Sequence, residues 1–98
     1  MKPKPTEPKT RKNLPREVVA MGDGPNLTII TDAEPSLAEL QRLVDGSIEC
    51  VRLPNGDDLI CNEDGLNRSM AINFMASALA GRPIVGPCVL LRGKARRR

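Results

Sequence analysis

The sequence has no tryptophan, no tyrosine and no histidine, and Phe74 is its single aromatic residue. Each absence excludes something. Without His, a Ser or Cys nucleophile lacks its usual general base, and the common zinc-ligand sets are cut to thiolates and carboxylates. Without Trp or Tyr, the usual stacking platforms for unpaired bases are missing. Cysteine is scarce and odd in number: Cys50, Cys61 and Cys88 stand at spacings of 11 and 27. A structural zinc site wants four ligands, usually in close pairs, so no metal and no cofactor are expected. The thiols are expected to be free and to pack as small hydrophobes in a reducing compartment. There is also no long apolar run. The stretch from Met70 to Leu91 is interrupted by Asn73, Ser77, Arg82, Pro83 and Pro87, which argues against a membrane span. The basic, Pro-rich start is not followed by an apolar signal segment. These features together lead to the expectation of a cytoplasmic protein with no membrane partner.

What is present in quantity is charge, and its layout carries information. Six of the 15 Lys and Arg residues lie in the first 16 positions: Lys2, Lys4, Lys9, Arg11, Lys12 and Arg16. Five lie in the last seven: Arg92, Lys94, Arg96, Arg97 and Arg98. Residues 17–91 hold only four arginines against 11 acidic residues, a net of −7. The overall +3 therefore conceals an acidic body between two basic tails. Residues 1–16 are too polar and Pro-rich to offset chain entropy by burial, and residues 92–98 are almost wholly basic. The expected organisation is a disordered tail at 1–16, one small folded domain at 17–91, and a second disordered tail at 92–98.

Within the body, turn chemistry punctuates short apolar segments. Glu17–Met21 and Leu27–Thr31 read as strands around Gly22-Asp23-Gly24-Pro25-Asn26. Ser36 with Glu39 three residues on makes a capping box. Leu37, Leu40, Leu43 and Val44 then recur at helical spacing, and Asp45-Gly46 stops the helix, with Gly46 free to turn left-handed. Residues 47–53 and 58–62 read as strands joined by Pro54-Asn55-Gly56-Asp57, where Asn-Gly suits a two-residue hairpin turn with positive φ at both positions. Asn73 opens a second helix, Phe74–Ala80, which Gly81 ends. Residues 84–91 read as the last strand, with Pro87 marking an edge or a bulge. The order ββαββαβ predicts an α+β domain: a mixed or antiparallel sheet of four to five strands with one main helix on one face, ferredoxin-like or β-grasp-like.

A set of residues adds a resemblance. Leu40-Gln41, Val44, Gly46 and Ile48-Glu49 are followed by Ile60-Cys61-Asn62-Glu63, Gly65, Asn73, the small residues Ala76 and Ala78, and Ile84-Val85-Gly86. This combination resembles the domain-of-unknown-function family DUF3846, which occurs in phages, plasmids and their bacterial hosts. The resemblance covers roughly residues 18–91. It departs from the family pattern at Asp45, where a Gly is usual, and at residues 66–72, which replace a Leu-Pro lead into the Asn. The resemblance implies a fold and a mobile-element context, and no reaction.

Three functional readings are open. The first is a non-enzymatic accessory binding protein that meets nucleic acid, or a protein that processes it, through its basic tails. Lys2, Lys4, Lys9, Arg11, Lys12, Arg16, Arg92, Lys94, Arg96, Arg97 and Arg98 would then neutralise phosphates without reading sequence. The second is a small-molecule or nucleotide binder, or a degenerate enzyme, with a site at Asn62, Glu63 and Asn73. Against it stand ordinary structural roles: Asn73 as a helix cap, and Glu63 accepting backbone N–H groups at a strand end. The third is that the acidic body mimics nucleic acid and binds a protein partner. The carboxylates of Asp57, Asp58, Glu63 and Asp64 are expected to lie in solvated turns, since their spacing does not suit a calcium loop.

Overall fold

The computed structural model describes residues 16–20 and 22–97. The elements run β1 (Glu17–Val19), β2 (Leu27–Ile30), α1 (Leu37–Val44), β3 (Ile48–Arg52), β4 (Asp58–Asn62), α2 (Phe74–Ala80) and β5 (Cys88–Leu91), followed by a 3-10 turn at Gly93–Ala95. The fold is α+β, and its order is the expected ββαββαβ. The five strands form one sheet in the order β1-β2-β5-β4-β3. β1 with β2, and β3 with β4, are antiparallel pairs, and β5 joins them by running parallel to β2 and antiparallel to β4. Of the two arrangements left open by the sequence, a central parallel pair between hairpins is closer to the β-grasp. Here, however, β5 meets the second strand of the chain, not the first.

Both faces of the sheet are covered, which explains why β4 and β5 are buried along their whole length. Strand alternation sends Ile30, Ile60, Val89 and Leu91 toward Leu40 and Val44 of α1. It sends Leu27, Leu59, Cys61, Cys88 and Leu90 toward Ala76 of α2 and toward Ile84. The expected single helix on one face is therefore joined by a short helix on the other. Leu37, placed by its spacing on the apolar face of α1, is half exposed instead. Pro87 marks neither an edge nor a bulge. β5 is central and begins one residue later, and the preceding segment contributes only an isolated bridge between Ile72 and Val85. Cys50 is not in the core: β3 is the sheet edge, and its thiol is exposed. Among the described residues no helix is long and apolar enough to cross a membrane.

Three local details depart from expectation. The capping box is half formed: Ser36 Oγ accepts the Glu39 amide at 3.1 Å, but the Glu39 carboxylate turns to Arg16. At the end of α1 it is Asp45 that turns left-handed, at φ 64°. Gly46 is required for a different reason, because a Cβ there would lie 2.7 Å from Asn62 Nδ2. The hairpin turn is also not the two-residue type. Gly56 N–H donates to Leu53 O, Leu53 N–H donates to Asp57 O, and Gly56 alone of the loop has positive φ, at 92°. Pro54 favours the first position of an ordinary turn, so the loop has three residues and ends in a glycine bulge.

Candidate functional site

The segment expected to be a free C-terminal tail is part of the fold. Arg92 N–H donates to Ile30 O at 3.0 Å, continuing the β2–β5 ladder. The 3-10 turn after it buries Ala95 completely in the core under α1. Two carboxylates from the β3–β4 hairpin fasten what remains. Asp57 accepts Arg96 Nη2 at 2.8 Å and Nε at 3.2 Å, and pairs with Arg92 Nε at 3.3 Å. Asp58 accepts the Arg97 amide at 2.8 Å and pairs with Arg52, its cross-strand partner. Arg97 also reaches Glu34 at 3.9 Å.

Asp57 and Asp58 were expected in a solvated turn, and they are buried. The reason is charge balance. A carboxylate leaves water at tolerable cost only where cations and N–H groups replace its hydration, and the arginine-rich segment supplies both. The guanidinium groups are not buried in return. Side-chain exposure is 61% for Arg52, 54% for Arg92, 45% for Arg96 and 35% for Arg97. Arg52, Arg96 and Arg97 line a basic concavity of about 510 Å³ with Gly56 and Gly93. Lys94, exposed and without an ion pair among the described residues, adds a further charge.

Arg16 is likewise held and not free. Its guanidinium donates twice to Glu39, at 3.0 Å each, and also to Asp32. The Glu39 hydrogen bond is the main cause that raises the Arg16 pKa. Burial works to raise the Asp32 carboxyl, but it is outweighed by the hydrogen bond from Arg16 and by backbone N–H groups, so the net shift is downward. Lys2, Lys4, Lys9, Arg11, Lys12 and Arg98 lie outside the described residues.

Of the three residues of the alternative site, Asn62 and Glu63 border one cleft and Asn73 lies apart from it. Asn73 is buried and fully used: Oδ1 caps α2 through the Ala76 amide, and Nδ2 donates to Asn26 O and Gly86 O, each at 3.0 Å. Asn62 is equally committed. Its Nδ2 donates to Val44 O and Asp45 O at 3.0 Å, closing the end of α1, and its Oδ1 accepts the Asp64 amide at 2.7 Å. Glu63 differs. It is exposed, and among the described residues its carboxylate has no hydrogen bond or salt bridge. The expectation that it pins backbone amides fails, because Asn62 Oδ1 takes the neighbouring amide first. Glu63 instead lines, with Asn62, a cleft of about 300 Å³ that also takes in Glu49, Cys61, Asn67 and Arg82.

The arginine cluster is visible in sequence only as a basic tail. What that reading misses is Arg52 and the two aspartates, and the signal for them is the hairpin itself. Closing the Pro54–Gly56 turn pairs Arg52 with Asp58 on one face.

A family model, the domain of unknown function DUF3846, matches residues 17–97. The chain belongs to this family. The DUF3846 match extends past the last strand to take in the segment carrying Arg92, Lys94, Arg96 and Arg97. No match was found among curated proteins or among solved structures.

Proposed function

We propose that this DUF3846 domain is a non-enzymatic accessory binding protein that holds the phosphate backbone of nucleic acid on its arginine cluster, in the phage, plasmid or bacterial setting its family resemblance implies. One observation carries the reading. Arg52, Arg92 and Arg96 are aimed by two buried carboxylates, and Arg97 is fixed through its amide on Asp58 and its side chain near Glu34, yet the four arginine side chains stay between one-third and two-thirds exposed. With Lys94 they place five cations against Asp57, Asp58 and Glu34, which leaves a positive surplus around a concavity. Arginine forks held in place lose less freedom on meeting phosphate than those on a loose tail. The plainer role of the cluster is to neutralise the buried aspartates. That role and the contact with Glu34 together account for three of the five cations and leave a surplus of two, with Lys94 in no ion pair among the described residues.

The acidic-mimic reading loses support. Six of the 11 acidic residues in 17–91, namely Asp32, Glu34, Glu39, Asp45, Asp57 and Asp58, are engaged by arginines of the same chain.

The test is a salt titration of DNA and RNA binding by fluorescence anisotropy of labelled nucleic acid. Affinity on the order of 10⁻⁴–10⁻⁶ M is expected, falling with salt by a log–log slope of about −0.9 per phosphate contacted on duplex. Lys94→Gln, which breaks no pair, should reduce that slope by about one. A second variant replaces Lys2, Lys4, Lys9, Arg11 and Lys12 with Gln in the full chain. Binding that survives this change and responds to Lys94→Gln supports the reading. Binding that vanishes with the N-terminal charges and ignores Lys94 would overturn it.

A further inference from the structure

β4 and β5 pair in antiparallel register, with Asp58 opposite Leu91, Leu59 opposite Leu90 and Ile60 opposite Val89. One step further along each strand, Cys61 stands opposite Cys88. Directly opposed residues of antiparallel strands have Cα atoms about 4.5–5.5 Å apart, and this lies inside the roughly 4.4–6.8 Å that a disulfide bridges. Both side chains lie on the α2 face of the sheet, in one packed cluster, and each thiol donates to a carbonyl two residues back in its own segment, Cys61 Sγ to Leu59 O at 4.0 Å and Cys88 Sγ to Gly86 O at 3.4 Å. Cys50 cannot replace either of them. It is opposite Ile60, on the other face of the sheet.

The two sulfurs are not equivalent. Cys61, 5% exposed, forms part of the wall of the cleft that holds Arg82 and Glu63. Cys88, 1% exposed, lies behind it in the core. The neighbouring Cys88 thiol, free to turn its proton toward an ionised Cys61, favours the Cys61 thiolate and outweighs its burial, so the Cys61 pKa is lowered; Arg82 helps and Glu49 opposes. The same neighbour relation, together with burial, pushes the Cys88 thiol up. A sulfur that ionises at the edge of a cleft, with a protonated partner behind it, is an attacking and resolving pair. Ordinary buried cysteines that only fill space have neither the contact nor the access.

We propose that Cys61 and Cys88 form a thiol–disulfide exchange site, with Cys61 attacking a low-molecular-weight disulfide that enters through the cleft. The Cys61 thiolate attacks one sulfur of R–S–S–R. A Cys61–S–S–R bond forms, and the departing RS⁻ takes up the proton that Cys61 released. The Cys88 sulfur then attacks Cys61 and yields its proton to the second departing RS⁻. One Cys61–Cys88 disulfide and two RSH result. The protein is oxidised by two electrons, and the small disulfide is reduced by two.

The experiment uses the full chain carrying Cys50→Ser, to silence the exposed thiol, with oxidised glutathione as the probe. Intact mass spectrometry should show the loss of two hydrogens, and non-reducing peptide mapping should join the segments holding Cys61 and Cys88. Adding Cys88→Ser should trap one glutathione on Cys61, while adding Cys61→Ser should leave Cys88 unmodified in the folded protein. Circular dichroism establishes that each variant is folded. If a variant unfolds, the Cys50→Ser chain alone decides the matter, through the pH dependence of its first alkylation by iodoacetamide. A rate midpoint below that of a free cysteine peptide, with Cys61 modified first, supports the site. Reaction only after addition of urea, or modification of Cys88 before Cys61, overturns it.

Discussion

The hairpin carboxylate Asp57 should act as a latch on the C-terminal segment, and the cost of opening it can be bounded from the geometry. Its side chain is 4% exposed and accepts two N–H groups of Arg96, at 2.8 and 3.2 Å, and Asn55 Nδ2 at 3.1 Å, with Arg92 Nε at 3.3 Å. Breaking a fully buried ion pair costs about 3–5 kcal/mol, whereas an exposed pair contributes about 0.2–1 kcal/mol. Here one partner is buried and the other 45% exposed, and Arg92 stays in place to cover part of the loss. Arg96→Gln should therefore cost about 1.5–3 kcal/mol, the range for a charge-assisted hydrogen bond whose buried acceptor is left short of partners. At about 4–8 °C per kcal/mol for a domain of this size, the melting temperature should fall by about 6–24 °C.

Asp57→Asn keeps the shape and loses the charge, and its arginines can turn to water, so its cost should be smaller, about 1–2 kcal/mol. The double variant should cost less than the sum by about 1 kcal/mol or more, because the second change removes a partner already lost. The chain has no Trp or Tyr, so the assay is urea unfolding followed by far-ultraviolet circular dichroism. Amide hydrogen exchange at Arg92 and Ala95, which donate to Ile30 O and Arg92 O, reads the latch directly. Costs that add to within about 0.3–0.5 kcal/mol, with unchanged exchange at those amides, would refute the reasoning.

Other outcomes rest on the same geometry. Asn62→Ala should cost about 1–3 kcal/mol in urea unfolding, since it strips buried Val44 O of its side-chain donor and the Asp64 amide of its acceptor. Gly46→Ala should destabilise measurably in the same assay, because its Cβ would lie 2.7 Å from Asn62 Nδ2 at a φ of 152°, and Asn62→Ala in the same chain should recover part of the loss. Glu63→Gln should leave stability within about 0.5 kcal/mol of the parent, because among the described residues no hydrogen bond or ion pair depends on that carboxylate. Acid should remove the Arg16–Asp32 contribution. The folded-state pKa of Asp32 is lowered, so its stabilisation is complete above the unfolded value and is lost as pH falls through the folded one. Asp32→Asn should cost about 0.2–1 kcal/mol at neutral pH and nothing in strong acid, as measured by thermal unfolding at both pH values.

Much of the fold is legible in the sequence because local chemistry and burial agree. Ser36 and Asn73 cap their helices, Leu40 and Val44 of the predicted apolar face of α1 are buried, and α2 keeps its predicted bounds, Phe74–Ala80. β4 matches its predicted bounds, since turn residues flank an apolar run. What local signals do not encode is which strand lies beside which. Pro87 speaks only to whether a ladder bond is lost at its own position, so it suggests an edge when the strand simply begins after it. Asp45-Gly46 reads as helix-stopping sequence with Gly46 as the left-handed residue. The close approach of Asn62, 16 residues later in the chain, fixes the reverse assignment. Asn62 and Asn73 stand out as potential ligand residues for the same reason that they matter to the fold. A buried amide must find partners for all its polar atoms, and both find backbone groups distant in sequence.

The charge layout carries the most information and is also the easiest to misread. Counting charges by segment yields an acidic body and basic ends, and suggests separate partners for each. That count treats charges as if all were solvated. Once the chain folds, a screening length of about 8 Å at physiological salt lets opposite charges in one small domain find each other before any outside partner. Arg16 lies against Asp32 and Glu39, and Arg92, Arg96 and Arg97 lie against Asp57, Asp58 and Glu34. At the C-terminal cluster the pairing consumes acid more completely than base, because Asp57 and Asp58 become buried, while each arginine presents a fork of which one edge suffices for the pair. Among the described residues a local cation surplus is thus held on the surface formed by Arg52, Arg92, Lys94, Arg96 and Arg97. The proposed polyanion contact rests on that surface, and not on the −7 of the body.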